Sequence, residues 1–217
     1  MKTVKAYLIL AISAAALALA TSASAGGVTS PVSVIDSIDW SQLGTEGTLV
    51  SSPATVTTKL GNVVTVSDTA GAQLLRYDQS SAWSGNFAPG TALLYTAPFL
   101  GASDITLTFA TPVLGAGAQI QANNPGPFTA QITVNGTQTF TESGVSNANS
   151  DGSAIFIGWL GGPIHTLEFT LTSAPFGTVN DFAIGKVEIS PGPVPGAGFA
   201  GLAALALAAL YARARRA

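Results

Sequence analysis

The stretch "QITVNGTQTF", Gln131 to Phe140, narrows the possible folds more than any other. Ile132 and Val134 alternate with polar neighbours on the way in, and Phe140 lies on the return. Between them stands Asn135-Gly136, a pair that readily takes the positive backbone angles of a tight turn. The segment therefore predicts a β-hairpin.

The same period of two extends outward. In "DITLTFA" (104–110), Ile105, Leu107 and Phe109 alternate with threonines, giving one apolar and one polar face. Further strands are predicted at "VVTVS" (63–67), "AQIQ" (118–121), "AIFIGW" (154–159) and "HTLEFTLT" (165–172). The last strand, "NDFAIGKVEIS" (180–190), changes parity: Phe182 and Ile184 share one face, but Val187 and Ile189 fall on the other unless the chain gains a residue. Gly185 is the natural place for the bulge that would restore one apolar face. Many strands of about six to nine residues, separated by turn residues and without helical periodicity, predict an all-β fold. The expectation is a single antiparallel β-sandwich, jelly-roll-like, over residues 26–190. A β-solenoid is the competing architecture, and it should show a fixed repeat that this sequence lacks.

The two ends read differently. Lys2 and Lys5 precede an uncharged apolar run from Ala6 to Ala20, followed by "TSASA" and Gly26. Such a run predicts a signal helix within a secretory signal peptide, residues 1–25, passed through the Sec translocon. Small residues at Ala23 and Ala25 suit signal peptidase, with the cut before Gly26. An uncleaved membrane helix is the alternative, although the run is shorter than the ~20 residues of a usual span.

At the other end, "PGPVPGAG" (191–198) holds a Pro/Gly stem, residues 191–196, and residues 197–217 carry an apolar segment closed by Arg213, Arg215 and Arg216. From Val194 to Ala212 the uncharged stretch is 19 residues long. That lies within the ~17–25 that cross a bilayer. Arginines behind the last apolar turn would stay on the cytoplasmic side, leaving the body outside. A buried or amphipathic helix would need a polar face, and Ala197 to Ala212 offers none.

Leader, proline stem, apolar helix and terminal arginines together resemble the PEP-CTERM class of exported bacterial proteins. The resemblance implies that the tail is a sorting signal: an exosortase-like enzyme in the inner membrane removes it, and the body reaches the envelope or the medium. Val194 and Pro195 match the class signature, whereas Gly196 and Ala197 stand where Glu and a second Pro would be. Without processing the same helix would remain as an anchor. The segments "FATPVLGAGAQIQ" (109–121), "GSAIFIGW" (152–159) and "VNDFAIGKVEI" (179–189) also resemble, in order, the closing half of sandwich domains found in that class.

Composition fits export. There is no cysteine, so neither disulfides nor thiol chemistry is available. All eleven acids lie between Asp36 and Glu188, where Lys59, Arg76 and Lys186 are the only Lys or Arg, giving that region a formal charge of −8. A surface of that sign repels nucleic acid and anionic lipid.

Chemistry-bearing motifs are sparse. The one histidine, His165, lies in a predicted strand without a nucleophile signature around it, and a single histidine excludes a multi-histidine zinc site. Asp36 and Asp39 near the start, with Asp181 opening the last strand, would gather oxygens around a structural calcium ion if first and last strands lie side by side. Solvated acids and a helix cap are the plainer reading of the same residues. Asn147, Asn149 and Asp151 before Gly152 suggest the start of a calcium loop, but its twelfth position is Gly158, so a polar turn explains them better.

Aromatics are the remaining lead: Trp40, Trp83, Trp159, Tyr77 and Tyr95 are candidates for a sugar-stacking platform or for core. In "RYDQSSAWSGNF" (76–87), Arg76, Tyr77, Asp78, Trp83 and Asn86 form the candidate glycan loop. The sequence thus points to a non-catalytic envelope or extracellular-matrix protein. The alternative is a carbohydrate-binding module acting on exopolysaccharide, and an enzyme comes third for want of a nucleophile with its base.

Overall fold

The computed structural model describes residues 25–32 and 35–192, and within them the alternating segments form twelve strands and no α-helix. In chain order the short early strands are β1 (Gly26–Val28), β2 (Asp36–Ile38), β3 (Leu49–Val50), β4 (Ala54–Thr57), β5 (Val63–Ser67) and β6 (Leu74–Asp78). They are followed by β7 (Ala92–Tyr95), β8 (Ile105–Ala122), β9 (Gly126–Val134), β10 (Gln138–Ser146), β11 (Ile155–Ser173) and β12 (Phe182–Pro191). Residues 1–24, with Ala23, lie outside the described residues. So does the chain from Pro193 onward, with Val194, Pro195, Gly196, Arg213, Arg215 and Arg216.

All pairings between named strands are antiparallel. The main path runs β10-β9-β11-β8-β12-β7-β6-β3, with β1 on β11, β2 on β12, and β5 carrying β4 alongside β8. The hairpin joins β9 to β10: Asn135 and Gly136 both have positive φ, and the Thr137 N–H donates to the Val134 carbonyl at 3.1 Å. Phe140 lies opposite Ile132, as the alternation requires. In β8, Ile105, Leu107 and Phe109 are buried and Thr106 and Thr108 are not.

Strand lengths depart from expectation. "DITLTFA" and "AQIQ" belong to one 18-residue strand, β8, and "AIFIGW" and "HTLEFTLT" to one 19-residue strand, β11. The residues that read as breakers, Pro112 and Gly161-Gly162-Pro163, sit where the β8–β11 register shifts, between Leu160 and Ile164 opposite Gly115 and Val113. Proline and glycine are admitted to a strand at such irregularities, so the chain bends there without ending the strand. Each long strand consequently serves two neighbourhoods. The first half of β8 pairs with β5 and the second half of β11, and its second half pairs with β12 and the first half of β11.

The bulge near Gly185 is present. The β12–β8 register slips between Ile184 and Val187, so Phe182, Ile184, Val187 and Ile189 all turn inward and are fully buried. The Gly185 carbonyl freed at the bulge accepts from Trp40 Nε1 at 2.7 Å, which satisfies a buried polar group on each side.

One hydrophobic cluster draws on both neighbourhoods, with Val64, Val66, Ile132 and Phe169 at one end and Ile38, Trp40, Ile184 and Ile189 at the other. Fully burying such side chains stabilises the fold by about 1.5–3 kcal/mol each. A second, smaller cluster lies on the opposite face of β6, β7 and β12: Trp83 and Phe87 from the β6–β7 loop cover Leu75, Leu93, Tyr95 and Ala183.

Candidate functional site

Strand β12 changes partner along its length, and a cleft opens where it does so. On the side away from β8, Ala183 and Ile184 pair with β7, whereas Val187 to Ile189 pair with β2. The bulge at Gly185 falls between these pairings, and beyond it Lys186 and Glu188 alternate with the inward Val187 and Ile189. Both charged side chains line a cleft of about 740 Å³, together with Asp39 and Ser41 after β2, Arg76 of β6 and Gln119 of β8. That volume lies in the range of small-molecule sites, ~300–1,000 Å³.

Phe156 of β11 also lines the cleft, and two glycines fix its position. Gly117 and Gly158 face each other across β8 and β11, and a Cβ on Gly117 would lie 2.6 Å from both Phe156 Cζ and Gly158 Cα. The phenyl ring therefore lies over bare backbone, beside Glu188, which pairs with Gly117 from β12.

Two polar groups in this cleft are buried and incompletely satisfied. Arg76 is 5% exposed. Its Nη1 lies 2.7 Å from Asp78 Oδ1, an ion pair outside the angular range of a hydrogen bond, and its Nε has no hydrogen-bond partner among the described residues. Glu188 Oε2 is likewise buried without a donor among the described residues. Burial pushes the Glu188 carboxyl above its ordinary value, against the pull of Lys186. Asp39 moves the other way: the Ser41 N–H, donating at 2.8 Å, holds it below the usual carboxylate range, and Arg76 and Lys186 add to the effect.

The candidate glycan loop is distributed differently from the sequence expectation. Its first three residues, Arg76, Tyr77 and Asp78, belong to strand β6. Arg76 reaches the cleft, and Tyr77 stacks on Tyr95 with ring centroids 5.5 Å apart. Trp83 is 3% exposed, meets Tyr95 edge-on at 5.1 Å and offers no open ring face. Asn86 is an interior hub, its backbone N–H donating to Gln121 Oε1 at 2.6 Å and its Oδ1 accepting from the Asn147 N–H at 2.9 Å. Trp40, Trp159 and Tyr95 are buried too, so of the five aromatics only Tyr77 is half-open. Large aromatics bury the most area, and here the interior takes them.

Asp36, Asp39 and Asp181 do not assemble. β2 does lie beside β12 as expected, but the antiparallel register sets Asp36 opposite Ile189. Asp181 precedes the far end of β12, roughly 25 Å away at the usual rise per residue. Each acid has separate work. Asp36 Oδ1 accepts from the Leu60 N–H at 2.8 Å, Asp39 caps the short 3-10 turn Trp40–Leu43, and Asp181 Oδ1 accepts from the Tyr95 hydroxyl at 2.7 Å. Among the described residues no three His, Cys, Asp or Glu side chains are placed to hold a metal ion.

His165 is exposed on β11. Asn147 and Asp151 form the polar turn expected of them, accepting from the Asn149 and Ser153 N–H groups at 3.1 and 3.0 Å. Lys186, Glu188, Gln119 and Phe156 were not singled out by sequence. The available signal was Gly185: a bulge there turns the next charged residues outward, and two of the three basic residues between Asp36 and Glu188 then meet in one place. The chain matches no protein-family model and no curated protein.

Proposed function

We propose that this chain is an exported, non-catalytic protein of the bacterial envelope or extracellular matrix, its body a jelly-roll-like β-sandwich and its tail a sorting signal of PEP-CTERM type. The observation that carries the reading is the order of features at the C-terminus: Val194-Pro195 in a proline stem, an uncharged segment to Ala212, then Arg213, Arg215 and Arg216. A leader with Lys2 and Lys5 at the opposite end supports the same route, from Sec translocon and signal peptidase to an exosortase-like enzyme.

Features of the body support the reading. β1 begins at Gly26, so a cut after Ala25 leaves the whole strand in place on β11. Gly27 lies directly beneath the ring of Phe140 from β10, which favours two sheet halves closing on one another as in a sandwich. Non-catalytic character is favoured by the exposed position of His165 and by the engagement of Asp36, Asp68, Asp104 and Asp181 as hydrogen-bond acceptors.

Intact mass of the protein from envelope and medium fractions of its own host tests the sorting. A product starting at Gly26 and ending near the Pro-Gly stem supports it, and a membrane-bound chain running from Gly26 to Ala217 overturns it. Contact with extracellular polysaccharide is the second reading, and the observation favouring it is the cleft at the β12 bulge.

A further inference from the structure

The cleft at the β12 bulge holds an unsatisfied donor and an unsatisfied acceptor together: Arg76 Nε and Glu188 Oε2, both buried without a hydrogen-bond partner among the described residues. Leaving such groups unpaired is costly, so they favour whatever supplies both an acceptor and a donor. Charge narrows the choice further. Arg76 is already paired with Asp78, and Lys186 faces Asp39 and Glu188 in the lining, so an anionic ligand finds no unmatched cation there. A hydroxyl meets the demand, since it accepts from a guanidinium and donates to a carboxylate with no net charge. Several hydroxyls on one rigid frame would engage Ser41, Thr91 and Gln119 in the same lining.

We propose that this cleft is a binding site for a neutral polyhydroxylated ligand, a short segment of uncharged polysaccharide, with Arg76 and Lys186 donating and Glu188 and Asp39 accepting. The inference rests on the polysaccharide reading above for the class of molecule, and adds the place, the residues and the lack of charge. It does not involve the Trp83 loop, whose aromatic ring is enclosed.

The test is calorimetric titration of the full chain in mild detergent with three probes: a neutral glucan trisaccharide, a uronic-acid trisaccharide and a glucosamine trisaccharide. The neutral sugar should bind with a dissociation constant of about 1 mM or tighter, and at least tenfold more tightly than either charged one. Glu188→Gln, which keeps the shape and removes the charged acceptor, should weaken it by about tenfold or more. Lys186→Ala, at an exposed position, should weaken it by a smaller factor, and Thr139→Ala on distant β10 should not. Circular dichroism of each variant verifies the fold. Binding of none of the probes overturns both the inference and the polysaccharide reading. Preference for a charged probe, or neutral-sugar binding indifferent to Glu188→Gln and Lys186→Ala, overturns the inference and leaves the broader reading standing.

Discussion

Asp68 follows β5 with both carboxylate oxygens occupied. Oδ1 accepts from the Ala70 and Ala72 N–H groups at 2.9 and 3.1 Å, and Oδ2 from the Ser103 and Asp104 N–H groups at 2.7 and 3.2 Å. One side chain thus ties the turn after β5 to the turn before β8. Burial acts to raise its pKa, but the donors from Ser103, Ala72 and Asp104 outweigh it and hold the carboxyl below its ordinary value. A carboxyl depressed in the folded state contributes stability that is present above its unfolded value, about 3.9, and is lost as pH falls through the folded one. Urea midpoints should therefore fall below about pH 4, and less steeply in Asp68→Asn, which should cost about 1–3 kcal/mol at neutral pH. Phe176 presents the reverse case. It is 88% exposed with φ of 57°, so the side chain contributes little burial while the backbone carries left-handed strain. Phe176→Gly should stabilise the protein by about 1 kcal/mol in the same assay; a loss of stability would mean the ring packs against something in the folded chain.

At the scale of the element, the hairpin and the last strand were legible because local rules decide them. Asn135-Gly136 has few other uses, and the parity change around Gly185 has one cheap remedy. The continuity of β8 and β11 was hidden, because Thr111-Pro112 and Gly161-Gly162-Pro163 look locally like strand ends and only neighbouring strands hold the chain together through them. The cleft was half legible for a similar reason. Arg76 stood out as a rare cation, but its proximity to Glu188 depends on β12 exchanging β7 for β2, a tertiary event with no local signature. The opposed glycines Gly117 and Gly158 permit a test at this scale. Gly117→Ala would place a Cβ 2.6 Å from Gly158 Cα and 2.7 Å from the Ile157 carbonyl oxygen, backbone atoms that cannot step aside. A loss of about 3 kcal/mol in chemical denaturation is expected, whereas Gly136→Ala, open to solvent but at φ of 69°, should cost about 1–2 kcal/mol. Equal losses at the two sites would mean that β8 and β11 are not pressed together as closely as this.

Across the whole molecule, the two long strands set the cooperativity. Because β8 and β11 each run through both neighbourhoods of the sheet, neither can lose its strands without unravelling part of the other, and the main hydrophobic cluster spans the two. No disulfide divides the chain into separately constrained loops. Trp40 and Trp159 report on the main cluster, and Trp83 on the smaller one beneath the β6–β7 loop. Unfolding in urea should be a single transition, with tryptophan fluorescence and far-UV circular dichroism superimposing. A Trp83→Phe variant sharpens the measurement, since its fluorescence comes from the main cluster alone. If that variant and the parent share one midpoint after correction for stability, the outer cluster melts with the core, and the cleft beside it is held as rigidly as the sheet. An earlier fluorescence change that vanishes in Trp83→Phe would instead mark the β6–β7 loop as a separate, weaker unit. Gly90 and Thr91 from that loop would then form a movable wall of the cleft, closing over a ligand at the expense of part of its binding energy.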